Sequence, residues 1–255
     1  MVKIFLNGCC GRMGRAIAGL CKQSEEYTVA LGCDMFPGDD LGFPVYKDPN
    51  ESTEDFDVII DFSNAKAVPS ILAFAIERKK PFICCTTALD DATLDSLNKA
   101  SEQIAVFRSA NMSLGINVMI ELIKKAAATL YPDYDIEILE AHHNRKLDAP
   151  SGTAVMLADA VKDTVPDEME LVYDRHSVNE ARKTNQIGMS SIRGGNIVGE
   201  HSIYFISDEE TVTISHSAKT RDVFAKGALK AASFMKGKDK GYYNMSDVIA
   251  ANDEQ

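Results

Sequence analysis

The sequence predicts an α/β chain: a doubly wound parallel sheet, then a second α+β domain with a mixed, mostly antiparallel sheet. Three observations lead there. Short apolar runs alternate with helical patterns from Val2 to Phe107, and the first run breaks on a glycine-rich turn. After Asn111 the character changes, and strands with polar interruptions take over.

Each element can be justified in order. Val2 to Leu6 is an apolar run ending in Asn7-Gly8, with a helical pattern from Arg12 to Lys22, which gives strand, turn and helix. Thr28 to Cys33 is a second strand, closed by Asp34 and broken by Pro37-Gly38-Asp39-Asp40. Phe56 to Asp61 alternates little, as a parallel strand covered on both faces does. A helix from Ala65 to Arg78, a strand from Pro81 to Cys85, a helix from Ala92 to Ser101 and a strand from Ile104 to Phe107 continue the series. Right-handed crossovers then make the sheet doubly wound. Ile116 to Leu130 reads as a long helix, followed by strands at Asp135–Glu140, Ser190–Ile192, Ile203–Ile206 and Glu210–His216. Phe224 to Met235 is a last helix, and Gly237 to Gln255 reads as a polar tail with one apolar turn at Val248-Ile249. The expected domains are 1–113, completed by 223–255, and 114–222.

Composition narrows the function. With 27 Lys and Arg against 38 Asp and Glu, the net charge is -11, which leaves no basic footprint for nucleic acid or an anionic membrane. No apolar run approaches the roughly 18 to 20 residues that span a bilayer, and the opening residues are too short for a secretory signal. A cytoplasmic protein is expected. The cysteines at 9, 10, 21, 33, 84 and 85 include two adjacent pairs and no C-x-x-C, so they read as reduced, small apolar side chains rather than a disulfide framework.

Gly8-Cys9-Cys10-Gly11-Arg12-Met13-Gly14 places glycines where a strand must turn into a helix and let a pyrophosphate approach the backbone. The anion would lie on the helix N-terminus, in Rossmann-like fashion. The spacing G-x-x-G-x-x-G departs from the commoner G-x-G-x-x-G, but strand, helix and acid stand where they should. Asp34 ends the second strand twenty residues past Gly14, where a carboxylate accepts from ribose hydroxyls; the competing reading is a solvated strand-end acid. Its neighbour is Met35, not an Arg that would welcome a 2'-phosphate, so NADH should serve at least as well as NADPH. Arg12, inside the turn, could still hold a phosphate, which leaves dual use open.

The stretch from Glu140 to Ala154 is the most informative. His142, His143 and Lys146 can supply protons and hydrogen bonds, and Pro150-Ser151-Gly152-Thr153 offers a cap hydroxyl and free N–H groups for an anion. Together they suit a small carboxylate substrate that needs a proton. A zinc site competes as a reading of paired histidines, but adjacent strand residues point to opposite faces and no acid–histidine motif accompanies them, so no metal is assigned. A purely structural role for these residues also stays open.

With Asp61-Phe62-Ser63, Thr86-Thr87, Ala110 to Asn117, Arg193-Gly194-Gly195, Gly199-Glu200-His201 and His216 through Ala225 added, nearly the whole chain resembles the 4-hydroxy-tetrahydrodipicolinate (dihydrodipicolinate) reductase family. The resemblance implies reduction of a cyclic imine dicarboxylate by NADH or NADPH in lysine and diaminopimelate biosynthesis. It further implies His142 as acid–base residue, Lys146 as proton donor, and His143, Gly152 and Thr153 at the substrate carboxylates. Cys85, Thr86, Thr87, Ser109, Ala110, Asn111 and Met112 would lie along the nicotinamide, with Cys9, Cys10, Arg12 and Met13 in the pyrophosphate turn. A homotetramer joined through the second sheet is implied as well. The chain departs from the family's Gly-Thr-Thr-Gly at Cys85 and Ala88, and the segment from Met35 to Asp55 is short. Another two-domain NAD(P)-dependent dehydrogenase of amino-acid metabolism, or a dinucleotide-sensing regulator without turnover, are the alternatives.

Overall fold

β1 (Val2–Asn7) carries apolar side chains to both of its faces, Ile4 and Leu6 into one layer and Phe5 into the other, all fully buried. Each such side chain taken from water is worth about 1.5–3 kcal/mol, and two-sided burial is why the run shows little alternation. The computed structural model describes residues 1–38, 40–173 and 175–253, so Asp39 of the predicted break and the last two residues of the predicted tail lie outside the described residues. After β1 come α1 (Arg12–Lys22), β2 (Tyr27–Cys33), β3 (Val45–Tyr46), β4 (Val58–Asp61), α2 (Val68–Arg78), β5 (Phe82–Cys84), α3 (Asp91–Ala100) and β6 (Ala105–Arg108). α2 starts three residues later than the sequence suggested, at Val68-Pro69, because proline is at home in a first turn.

The next elements are α4 (Leu114–Leu130), β7 (Asp135–His142), α5 (Gly152–Lys162), β8 (Glu170–Val172), β9 (Gln186–Arg193), β10 (Gly199–Ile206) and β11 (Thr211–Ala218). The strands form a five-stranded mixed sheet in the order β11-β10-β7-β9-β8, with two antiparallel and two parallel pairings. One face is packed by α4 and α5 through Ile116, Met119, Ile123, Leu157 and Val161.

The chain then returns to the first sheet. α6 (Asp222–Met235) joins α1 on one face, while α2 and α3 cover the other. The segment read as a polar tail is instead β12 (Gly241–Tyr243), paired in parallel with β6, and α7 (Met245–Asp253), anchored by buried Met245 and Val248. A three-residue strand has too few positions to show a period, and it exists because β6 offers an edge to pair with. The seven strands run β12-β6-β5-β4-β1-β2-β3, all parallel. The chain thus forms two units, Met1–Leu114 with Arg221–Gln255, and Gly115–Thr220.

Candidate active site

In the first unit the strand order reverses at β1 and β4, the place where open α/β sheets bind ligands beyond the carboxyl ends of their strands. Gly8 leaves β1 with φ +78°, and a Cβ there would come within 2.5 Å of the Phe62 carbonyl oxygen that follows β4. At Gly14 a Cβ would meet the Gly8 carbonyl oxygen at 2.3 Å, so the first turn of α1 lies directly on the glycine turn. Gly11 is the helix N-cap, and among the described residues no side chain caps it, so the first N–H groups of α1 are of the kind an anion can meet. The turn has the cradle that a dinucleotide pyrophosphate needs.

Beneath the turn, Asp61 is wholly buried at the end of β4. Its Oδ1 accepts from Asn7 Nδ2 at 2.7 Å and Ser63 Oγ at 2.5 Å, and its Oδ2 from Thr86 Oγ1 at 2.7 Å. Burial pushes its pKa up, and those three donors pull it partly back. One carboxyl therefore ties the ends of β1 and β4 to the segment after β5, a role sequence reasoning missed although Asp61-Phe62-Ser63 was noted.

Two cavities flank this crevice. One of about 310 Å³ is lined by Gly8, Gly11, Asp34, Met35, Phe36 and Lys47 among others. Asp34 accepts from the Cys10 N–H at 2.9 Å and the Phe36 N–H at 3.1 Å, so it holds the turn as well as facing the cavity. Lys47 was also missed; it is brought in by the two-residue β3, which leaves no periodic signal. The other cavity, about 220 Å³, is lined by Met13, Phe62, Cys85, Thr87, Ser109, Ala110, Asn111, Met112 and Phe224. Asn111 shapes its rim, its Oδ1 accepting from Ser113 N at 2.8 Å and its carbonyl from Ser109 Oγ at 2.7 Å. Met112 is fixed from behind by α6, where a Cβ on Gly227 would overlap the Met112 carbonyl. Thr86 stays below, bonded to Asp61, and Arg12 stands exposed at the head of α1.

The six cysteines are free, and five are buried. Burial raises the thiols of Cys21 and Cys33 to about 11 and Cys84 to about 12. Cys9 is pushed up further, by burial and then by Cys10 beside it, and Cys85 by burial. Among the described residues, Cys9, Cys10 and Asp34 bring possible ligand atoms within 4.8 Å of one another, while the paired histidines belong to no such group.

In the second unit, each core-facing row of the sheet turns from apolar to polar or charged toward one end. On β7 the row is Ile136, Ile138, Glu140, His142; on β10 it is Phe205, Ile203, His201; on β9 it is Ile187, Met189, Ser191, Arg193. Register places Glu140 opposite both His201 and Ser191, and His142 opposite Arg193. Glu140 is buried and takes a bidentate pair from Arg193, at 2.9 and 2.7 Å, with His142 Nδ1 at 2.5 Å and the Ser151 N–H at 3.2 Å. Burial alone would raise its pKa, yet the Arg193 guanidinium, Ser191 and His142 outweigh it and hold the carboxyl down to about 2. Ser151 caps α5, accepting from the Ala154 N–H at 3.1 Å, and pairs with His201 Nε2 at 3.0 Å. The exposed Gly152 opens α5 with nothing within 4 Å of where a Cβ would stand, and Thr153 follows. Lys146 pairs with Asp148 at 2.8 Å, its N–H donating to the His143 carbonyl at 3.1 Å. The structure thus brings His142, Ser151 and the start of α5 into one network. The sequence signal for Glu140 was its two-residue spacing from His142, which puts both on one face of β7.

A nucleotide-binding parallel sheet with an uncapped glycine turn, joined in one chain to a mixed-sheet unit with a buried acid–histidine cluster, defines the class of two-domain dinucleotide-dependent oxidoreductases. Similar chains narrow it. Residues 2–112 match the family model for the N-terminus of dihydrodipicolinate reductase, and residues 115–249 the model for its C-terminus. A 4-hydroxy-tetrahydrodipicolinate reductase of Caldanaerobacter subterraneus subsp. tengcongensis is 49% identical over 251 residues, 98% of each chain. One of Clostridium tetani is 45% identical over 249 residues, 98% of this chain and 97% of the relative. The dipicolinate-bound dihydrodipicolinate reductase from Paenisporosarcina sp. TG-14 has the same fold, with TM-score 0.79 at 21% identity, covering 97% of this chain and 99% of that one. The chain belongs to the dihydrodipicolinate reductase family.

Proposed function

We propose that this protein reduces 4-hydroxy-tetrahydrodipicolinate to tetrahydrodipicolinate with NADH or NADPH, in the lysine and diaminopimelate pathway. The observation that carries the reading is the family match across both halves of the chain at 49% identity to a reductase of that name. When bound, the reduced nicotinamide supplies the hydride. The chain's own residues do the rest. Gly8, Cys9, Cys10, Gly11, Arg12 and Met13 would cradle the pyrophosphate and Asp34 the adenosine ribose, with Cys85, Thr86, Thr87 and Ser109 to Met112 along the nicotinamide. His143, Gly152 and Thr153 would hold the substrate carboxylates, using the open first turn of α5, which converts binding energy into orientation. Lys146 would donate a proton and His142 act as the acid–base residue.

NADH serves at least as well as NADPH in this reading, because Met35 brings no cation beside Asp34; Lys47, lining the same cavity, keeps NADPH usable. Among the described residues no helix is long and apolar enough to cross a membrane, and we place the enzyme in the cytoplasm as a homotetramer. The deciding assay generates substrate from pyruvate and aspartate semialdehyde with a coupling synthase and follows loss of reduced nicotinamide. Substrate-dependent oxidation is expected; a protein that binds the dinucleotide but oxidises none of it in that mixture overturns the assignment.

A further inference from the structure

Glu140 is fully buried, charged, and surrounded by groups that nearly all can only donate. Its Oε1 faces Arg193 Nη2 and the Ser151 N–H, and its Oε2 faces Arg193 Nη1 and His142 Nδ1. The imidazole nitrogen and the Ser191 hydroxyl can either donate or accept. An ionised carboxylate accepts from all of them, so His142 must carry its proton on Nδ1. The opposite ring nitrogen, Nε2, lies over Gly199, where a Cβ would come within 3.1 Å. The His142 side chain keeps 11% of its exposure.

We propose that Glu140, clamped by Arg193, is the positioning residue that fixes the His142 tautomer, so that Nε2 is the atom that exchanges a proton with substrate across the gap left by Gly199. The proposal rests on His142 being the acid–base residue. In the step, the Nε2–H bond of the imidazolium breaks, the proton passes to the substrate atom, and the electron pair stays on Nε2. Nδ1–H stays bonded to Glu140, and water returns the proton afterwards. Arg193 neutralises the carboxylate without competing for Nδ1, because its two N–H groups are committed to the two oxygens.

The test uses the whole enzyme and the Glu140→Gln substitution. Oε1 meets two fixed donors, Arg193 Nη2 and the Ser151 N–H, and Oε2 meets one, Arg193 Nη1, so the amide oxygen sits at the Oε1 position and the amide NH₂ turns to His142 Nδ1, with Arg193 Nη1 losing that acceptor. That reverses the tautomer with almost no change of shape. The other titratable and charged groups around the cluster keep their identity: Arg193 from β9 opposite His142, His201 from β10 against its ring with His216 of β11 beyond, and Lys146 of the following loop acting on His201.

Nitrogen-15 spectra of the histidines, assigned with His142→Gln, should show Nδ1 protonated in the unmodified enzyme and Nε2 protonated in Glu140→Gln. Turnover should fall roughly 10²- to 10⁴-fold with KM for the dinucleotide unchanged, and the pH–rate profile should differ from that of the unmodified enzyme. An unprotonated Nδ1 in the unmodified enzyme overturns the proposal whether or not the variant folds. If Glu140→Gln keeps wild-type turnover and pH profile while His142→Gln loses turnover, Glu140 does not position His142. If His142→Gln itself turns over normally, the acid–base reading fails first.

Discussion

The N–H of Cys10 donates to Asp34 Oδ2 across 2.9 Å, which joins the acid that ends β2 to the middle of the glycine turn. The residue proposed to read the ribose thus also holds the glycine turn in shape. Its second oxygen takes the Phe36 N–H, so the backbone through Met35 is fixed beside the same cavity.

That geometry makes dinucleotide preference adjustable from two sides. Met35→Arg should raise kcat/KM with NADPH relative to NADH by about tenfold, the worth of about 1.4 kcal/mol from one charge-assisted contact. Lys47→Ala should lower the same ratio. Measured ratios unchanged in both variants would mean that neither side chain reaches a 2'-phosphate.

Much of this was legible in the chain, and the failures share a cause. The Gly8–Gly14 turn, the α1 bounds and Asp34 could be read because local geometry dictates residue type there. β3, β8 and β12 could not, because strands of two or three residues exist only through the partner they pair with. Arg193 and His201 escaped for a related reason: register, not sequence spacing, brings them to Glu140. Lys47 reached the cavity beside Asp34 only through β3.

Asp61 gives a contrast between two substitutions. Asp61→Ala strips three donors, Asn7, Ser63 and Thr86, of a buried acceptor and should cost about 3 kcal/mol or more, with looser dinucleotide binding. Asp61→Asn should cost roughly 1 kcal/mol or less, since the Thr86 hydroxyl can turn to accept and a neutral amide escapes the burial that raises the Asp61 pKa. Urea denaturation of both variants checks this, and equal losses would contradict it.

Ala88 sits at φ +57°, in the turn where the family's pattern has glycine. A left-handed alanine costs about 1–2 kcal/mol, and glycine gives back about 0.4–1 kcal/mol through its freer unfolded chain. Ala88→Gly should therefore raise stability by about 0.5–1 kcal/mol, seen as a higher urea midpoint. A drop in the midpoint would show that the turn is not strained.

His201 sets a pH window. Burial, followed by the nearby His142, lowers its pKa from 6.5 to about 4. The unfolded chain binds this proton more readily than the folded one, so the contribution to stability is whole above pH 6.5 and is lost as pH falls toward 4, by roughly 3 kcal/mol. His216, lowered by burial, adds in the same direction, and Glu140 joins below its ordinary 4.5 as pH falls toward 2. His201→Gln should flatten the loss between pH 6.5 and 4 without abolishing it. Urea midpoints with the same pH dependence in both proteins would remove His201 from the acid response.

Lys146 separates chemistry from binding. Its side-chain nitrogen pairs with Asp148 at 2.8 Å and the side chain is 21% exposed, so it is held and within reach of solvent. Lys146→Ala should lower kcat roughly 10²- to 10⁴-fold, the usual worth of one positioned proton donor. The Kd for the dinucleotide should not move, because the glycine turn and both flanking cavities belong to the first unit. Asp148→Asn removes only the partner and should leave most of kcat, because the lysine side chain itself stays in place. Wild-type turnover in Lys146→Ala would take the lysine out of the mechanism; an equal collapse in both variants would make the ion pair, rather than the proton, the functional unit.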